Sequence, residues 1–417
     1  MWMVLLQEFW SDLKSHRLRA ILTIIAIAWG TLCVVLLLAF GEGLGHQLLI
    51  GLKGGGNRIM IVSGGQTRKI FEGLPKGRRI RFVEEDIEIL KNAIPGITLI
   101  SPQYRKRVAV TYKDVTVRTE CEGVDPGFEE MRSMYPTAGG RFLNESDVGE
   151  RRRVLYLGSE ITKELFKEED PIGKQVIVDG MPHTLIGVMQ AKMQMGMNNG
   201  PDSRRAIIPY STFRTAYGHN NLNSIVIRPE DPSRQMAVKN RIYEVLGRKY
   251  RFDPTDRRAL GVWDFIENEK MNQQMSMGIQ IFLGAIGMLT LLIAGVGVAN
   301  VMYVVVKERT REIGIKMALG ARRRFILLQF LFESLLIAFI GGAIGLSLSA
   351  GIVFAVRMIP VATQAVPTPE MFLARPIISV PIMLLTFCTL TLLGLMAGVF
   401  PARKAAALDP VESLRYE

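Results

Sequence analysis

Four stretches of this 417-residue chain are apolar for long enough to cross a bilayer. They are Ala20–Phe40, Gly278–Val306, Phe325–Val356 and Val380–Phe400. About 20 apolar residues in a helix cover a hydrocarbon core of roughly 30 Å. Three of the stretches carry no charge, and the third carries Glu333. Residues 41–272, between the first and second stretches, contain no run of that length, and their periodicity alternates. Asn57–Ser63, Arg107–Tyr112, Val115–Thr119, Val154–Ser159, Asp170–Val178, His183–Val188 and Ser224–Arg228 read as short strands, with a hairpin turn at Lys113–Asp114. Val83–Ala93 reads as a helix, acidic in its first turn and with Lys91 near its end, as the macrodipole favours. Pro232–Leu246 reads as another helix. The pattern predicts a membrane α-helical protein with four transmembrane helices in a 1+3 arrangement and an α+β domain after the first.

Charge then orients the chain. Lys and Arg near span ends are retained on the cytoplasmic side. Lys14, Arg17 and Arg19 precede the first span, seven basic residues lie in 307–324, and Arg403 and Lys404 follow the fourth span. A single topology puts all of them inside. Residues 1–19 then form a cytoplasmic amphipathic helix, built on Trp2, Val4, Leu5, Phe9, Trp10 and Leu13. The first span covers 20–40, and 41–272 is extracytoplasmic. A stalk and the second span occupy 273–306, with helix reaching back toward Trp263. A cytoplasmic loop follows at 307–324, then the third span (325–356), an outer loop (357–379), the fourth span (380–400, stopped by Pro401) and a cytoplasmic tail (401–417). Both termini are expected in the cytoplasm of a multi-pass inner-membrane protein. The first apolar run is too long for the core of a signal peptide and lacks a small-x-small site after it, so an uncleaved anchor is expected.

The most informative segment is Lys307–Arg324, KERTREIGIKMALGARRR, which has no long amphipathic stripe and ends its short helix at Gly320. With the residues that follow it, ERTREIGIKMALGARRRFILLQFLFESLLIAFIGGAIG resembles the permease core of the MacB/FtsX superfamily of ABC transporters. Gly140–Asp147, Val154–Ser159, Asp170–Val178 and His183–Val188 resemble passages of the MacB-type extracytoplasmic domain. The resemblance implies two lobes in that domain, with the smaller inserted at about 141–219. It implies a permease subunit that couples ATP hydrolysis in a separate ATPase to movement of the outer domain, for export or extrusion of a substrate. The loop would dock the ATPase through Glu308, Arg309, Arg311, Glu312, Gly314, Ala318, Leu319 and Gly320. The partners implied are a cytoplasmic ATPase dimer, a second copy of this chain, a periplasmic adaptor and an outer-membrane channel. Regulation of a cell-wall hydrolase, as in FtsX-like proteins, and lipoprotein release remain alternatives.

Composition excludes other classes. The net charge of +12 comes from basic residues beside apolar spans, without a nucleic-acid motif. No G-x-x-x-x-G-K-[ST] occurs, so ATP and Mg are expected on a partner and no cofactor on this chain. No nucleophile elbow or HExxH appears, so no catalytic residue is expected. The four histidines lack metal-ligand spacing, and Cys33, Cys121 and Cys388 offer no disulfide framework.

Two glycine pairs, Gly341/Gly345 and Gly394/Gly398, lie in the third and fourth spans. Small residues let helices approach closely in lipid, so each pair serves packing within the chain or a homodimer seam. The family resemblance implies that one of them meets a second copy. Glu333 is expected to be structural, near the inner interface. Met189, Met193, Met195 and Met197 mark an adaptable loop rather than a copper site.

Overall fold

In the computed structural model, residues 17–195, 200–359 and 375–407 are described. The chain begins with α1 (Arg17–Gly55) and β1 (Met60–Gly64), then α2 (Glu85–Ala93), β2 (Ile97–Tyr112), β3 (Val115–Val124) and α3 (Phe128–Arg132). It continues through α4 (Glu145–Gly149), β4 (Val154–Leu157), α5 (Ser159–Phe166), β5 (Gln175–Val178) and β6 (Met181–Val188). A 3-10 turn at Asp202–Arg204 precedes β7 (Arg205–Pro209), α6 (Tyr210–Tyr217), β8 (Ser224–Pro229), α7 (Gln235–Tyr250) and β9 (Leu260–Asp264). The last helices are α8 (Phe265–Glu308), α9 (Thr310–Ala318), α10 (Arg323–Met358) and α11 (Val380–Ala406). Two units result: a helical one from 17–46, 274–359 and 375–407, and a sheet-rich one from 47–195 and 200–273.

The sheet-rich unit is organised by β2, 16 residues long. Its first half pairs antiparallel with β8, and Tyr104–Tyr112 pairs with β3. Lys113, at φ +51°, turns the chain between β2 and β3. Val110 and Thr111 also pair with β5. From β3 the pairing runs to β7, β4, β6 and β5 and so returns to β2, closing a ring of six strands. β8, β1 and β9 extend the sheet from the other half of β2. Successive residues of a strand face opposite ways. Accordingly Val108, Val110, Val117 and Cys121 are buried, while Arg107 and Arg118 lie on the exposed face. Two buried clusters flank the sheet. One includes Tyr104, Leu155, Val176, Leu185 and Phe213; the other is centred on Ile61, Phe128, Tyr156 and Phe265.

The ring draws on more of the chain than 141–219. β7 pairs parallel with β3, so 104–124 belong to it as well. β9 takes Trp263 into a strand against β1, so the long helix starts at Phe265 rather than at Trp263.

The helical unit holds the four helices that are long and apolar enough to cross a membrane: α1, α8, α10 and α11. Their shared core includes Ile27, Val35, Val298, Met302, Phe330, Ala338, Leu390 and Ala402. Several hydroxyls here bond back along their own helices, as Thr386 Oγ1 does to Ile382 O (2.8 Å) and Ser349 Oγ to Gly345 O (2.7 Å). Glu42, near the end of the first apolar stretch, accepts from Ser379 Oγ at 2.6 Å. Pro401 does not end the helix of the fourth span, because α11 runs through it to Ala406. A proline ring clashes with the carbonyl four residues back, and tolerated prolines rely on the neighbouring structure. Here the residue four back is Ala397, and Gly398 and Ala402 keep that part of the helix slender. The expected amphipathic helix at 1–19 falls almost wholly outside the described residues, as do 360–374 of the outer loop, 408–417 of the tail, and Met197.

Candidate coupling site

The segment between α8 and α10 folds as a short helix whose two faces do different work. α8 ends at Glu308, and Thr310 Oγ1 donates to Lys307 O (2.9 Å), closing the break before α9. Glu312 stands in the first turn of α9 and Lys316 in the last, matching the helix dipole. Gly320, at φ +95°, reverses the chain after the helix, in a conformation that a side chain would strain. Arg322 then leads extended into α10.

Burial separates the sequence-predicted residues into two sets. Ile313 and Gly314 turn inward, and Ile313 joins the helical core. Arg309 also turns inward, contrary to its expected place on the docking surface. Its Nη1 lies 3.5 Å from Glu333 Oε2 on α10, with the two side chains 10% and 11% exposed. A guanidinium near the end of an apolar bundle goes where a carboxylate can meet it. Glu308, the neighbouring residue, pairs with Arg19 of α1 at 2.9 Å, its side chain 37% exposed. Two consecutive residues therefore tie the start of α9 to two different membrane helices.

The outward set is Arg311, Glu312, Ala318, Leu319 and Gly320, joined by Ile315, which sequence reasoning did not assign. Leu319 is 84% exposed and Ile315 44% exposed. Positions 311, 315 and 318/319 recur at helical spacing and so share one face. That face has an apolar centre, Ile315 and Leu319, with the charges of Arg311 and Glu312 beside it.

Both glycine pairs are used within the chain. A Cβ on Gly341 would meet Ile27 Cβ at 2.8 Å and Ile24 O at 3.0 Å, and one on Gly345 would meet Ala28 O at 2.5 Å, all on α1. Gly394 faces Leu335 and Ala338 of α10, and Gly398 faces Ser334. Ser334 Oγ donates to Gly394 O at 3.0 Å across that seam. Packing within the chain is thus one of the two uses expected of these pairs, and both pairs serve it. The methionines likewise separate. Met189 is buried in the sheet-rich unit, whereas Met195 packs on Gly51 and donates its N–H to Gly51 O at 2.7 Å.

Sequence reasoning missed the Arg19–Glu308 pair and the role of Glu333 as the partner of Arg309. The only signal was the presence of charged residues at or inside apolar runs. It also missed a buried network in the sheet-rich unit, where Asp202 bonds Arg132 Nη2 (2.6 Å) and Lys192 Nζ (2.8 Å). Burial pushes the Asp202 carboxyl upward, but Arg132 and Lys192 outweigh it and hold the group below the usual carboxylate range.

Four membrane-length helices, a sheet-rich domain inserted after the first, and a short exposed helix between the second and third define a polytopic membrane protein with a large inserted domain. Residues 20–245 match the family model of the MacB-like periplasmic core domain, and residues 284–410 that of the FtsX-like permease C-terminal region. The chain belongs to the MacB/FtsX-type ABC transporter permease family. It is 30% identical over 414 residues to the macrolide export ATP-binding/permease protein MacB of Bdellovibrio bacteriovorus, covering 99% of this chain and 61% of that one. It is also 30% identical over 420 residues to the pyoverdine export ATP-binding/permease protein PvdT of Pseudomonas fluorescens, covering 99% and 59%. The chain thus spans about three fifths of the length of these curated relatives. Among solved structures, the periplasmic region of MacB from Actinobacillus actinomycetemcomitans is similar, at 19% identity and a TM-score of 0.42, covering 53% of this chain and 94% of that one.

Proposed function

We propose that this chain docks a separate cytoplasmic ATPase on the outward face of α9 and passes nucleotide-driven movement to its sheet-rich domain on the far side of the membrane. The result is export or extrusion of a substrate. The carrying observation is the division of labour in α9. Leu319 and Ile315 are presented outward beside Arg311 and Glu312, while Glu308 and Arg309 fasten the base of the helix. An exposed leucine and isoleucine flanked by charge favour a protein partner over lipid headgroups. The basic residues at the start of α1, around α9 and at the end of α11 support a topology with both termini cytoplasmic. The relatives named for macrolide and pyoverdine export support efflux as the task of the assembled complex.

The test is reconstitution of the full chain in nanodiscs with its cognate ATPase. Wild type is expected to bind the ATPase and stimulate hydrolysis, and Leu319→Asp or Glu312→Lys to abolish stimulation without loss of membrane insertion. Normal stimulation in both variants would reject α9 as the docking element.

A further inference from the structure

The ring of strands carries an open cavity of about 660 Å³, bounded by the polar face of β2 and β3 and by residues of the segment 200–205. Its volume lies in the range of small-molecule sites, roughly 300–1,000 Å³. The strand register explains its charge. Across β2 and β3, Arg107 is opposite Glu120 and Ala109 is opposite Arg118. Arg107 and Arg118 are thus diagonal neighbours on one face, about 7–8 Å apart at Cα. Across β3 and β7, Glu120 lies beside Arg205.

The charges around the cavity are unevenly balanced. Arg204 is held by Glu164 and Glu160, Arg205 by Glu122 and Asp202, and Asp179 by Lys106. Arg107 and Arg118 have no side-chain ion pair or hydrogen bond among the described residues. Burial pushes Arg205 down to about 10, with Glu120 opposing and Arg105 adding to the depression. The floor of the cavity therefore holds a surplus of positive charge, and its two freest cations are planar forks suited to oxyanions. Glu120, between them, can only accept hydrogen bonds when ionised. It favours a ligand with a hydroxyl or amine beside its anionic group.

We propose that this cavity binds a small molecule bearing a carboxylate or phosphate oxyanion next to a hydrogen-bond donor, gripped by Arg107 and Arg118. The site is separate from the docking face of α9, and its test needs neither ATPase nor nucleotide, so the two readings fail independently.

The experiment is calorimetric titration of the full-length chain in nanodiscs with citrate and, separately, with glycerol 3-phosphate, at matched ionic strength. Saturable binding of either probe is expected, and which one binds identifies the oxyanion. Arg107→Gln with Arg118→Gln should weaken it at least about tenfold, since each lost charged hydrogen bond is worth about a decade. Ala109→Trp, which fills the cavity without changing its charge, should abolish it, whereas Arg234→Gln on the exposed surface should leave it unchanged. Absence of saturable binding by both probes, or equal affinity in wild type and the double arginine variant, would overturn the proposal.

Discussion

Replacing Glu333 by Gln removes a carboxylate that pairs with Arg309 while leaving the guanidinium where it is. Breaking a buried pair from one side typically costs about 3–5 kcal/mol, much of it the penalty of the charge left behind. The 3.5 Å separation and the 10–11% exposure of the two side chains place this pair at the lower end, about 3 kcal/mol. The neighbouring Arg19–Glu308 bridge is closer, at 2.9 Å, but its side chains are 36% and 37% exposed, so it is worth about 0–1 kcal/mol. Burial, not distance, decides which pair holds α9. If that energy keeps α9 in the orientation the ATPase recognises, its loss lowers the competent fraction and weakens apparent ATPase affinity by up to about 100-fold. The assay is titration of fluorescently labelled ATPase onto the nanodisc-embedded chain. Glu333→Gln and Arg309→Gln should each weaken binding strongly, and Arg19→Gln by no more than about fivefold. Arg309→Met with Glu333→Leu should recover affinity to within about threefold of wild type, because both members of the buried pair are then neutral. Wild-type affinity in the single variants, or a double variant impaired by the sum of the singles, would refute the reasoning.

Two further perturbations probe the packing of each unit. Gly345→Ile should lower the thermal midpoint of the nanodisc-embedded chain or prevent its accumulation, since its Cβ alone would fall 2.5 Å from Ala28 O and overpacking costs about 1–3 kcal/mol or more. Gly351→Ile, on the same helix with open space at its Cβ, is the control and should be tolerated. Asp202 is held below the usual carboxylate range, so the stability it contributes is complete above about pH 4 and is lost as pH falls through its lower folded value. Wild type should therefore lose stability on acidification, measured as thermal midpoint against pH, and Asp202→Asn should be less stable at neutral pH with a flatter acid limb.

The spans were legible because lipid imposes a requirement that shows directly in one dimension: some 20 residues without unpaired polar groups. The hairpin at Lys113–Asp114 was legible because turn and alternation are both local. The ring of strands was not, because it depends on parallel pairs that join distant segments, β3 with β7 and β4 with β6. β9 was hidden by its brevity and by the helix that begins at the next residue. The residues of α9 were identified by resemblance, but their faces were not. Arg309 and Arg311 look alike in sequence, but Arg309 turns inward to meet Glu333, 24 positions away. Glycine spacing announced close packing without naming the neighbour, since a small-residue face serves any helix that approaches it.

The same packing bears on how work would cross the membrane. A conduit for a polar substrate needs a lining of polar groups and room between helices. In the helical unit the buried polar residues include Thr23, Thr31, Ser334, Ser349 and Thr386, with Arg309, Gln329 and Glu333 nearer the α9 end. Several of the hydroxyls are engaged within their own helices. Gly341 and Gly345 bring α10 onto α1, and Gly394 and Gly398 bring α11 onto α10. α1 and α8, by contrast, run as single helices of 39 and 44 residues, each longer than a bilayer requires. Their ends at 47–55 and 265–273 belong to the sheet-rich unit. A close-packed bundle deforms little, and continuous helices transmit displacement along their axes. These continuous helices are the elements on which the proposed transfer of movement rests.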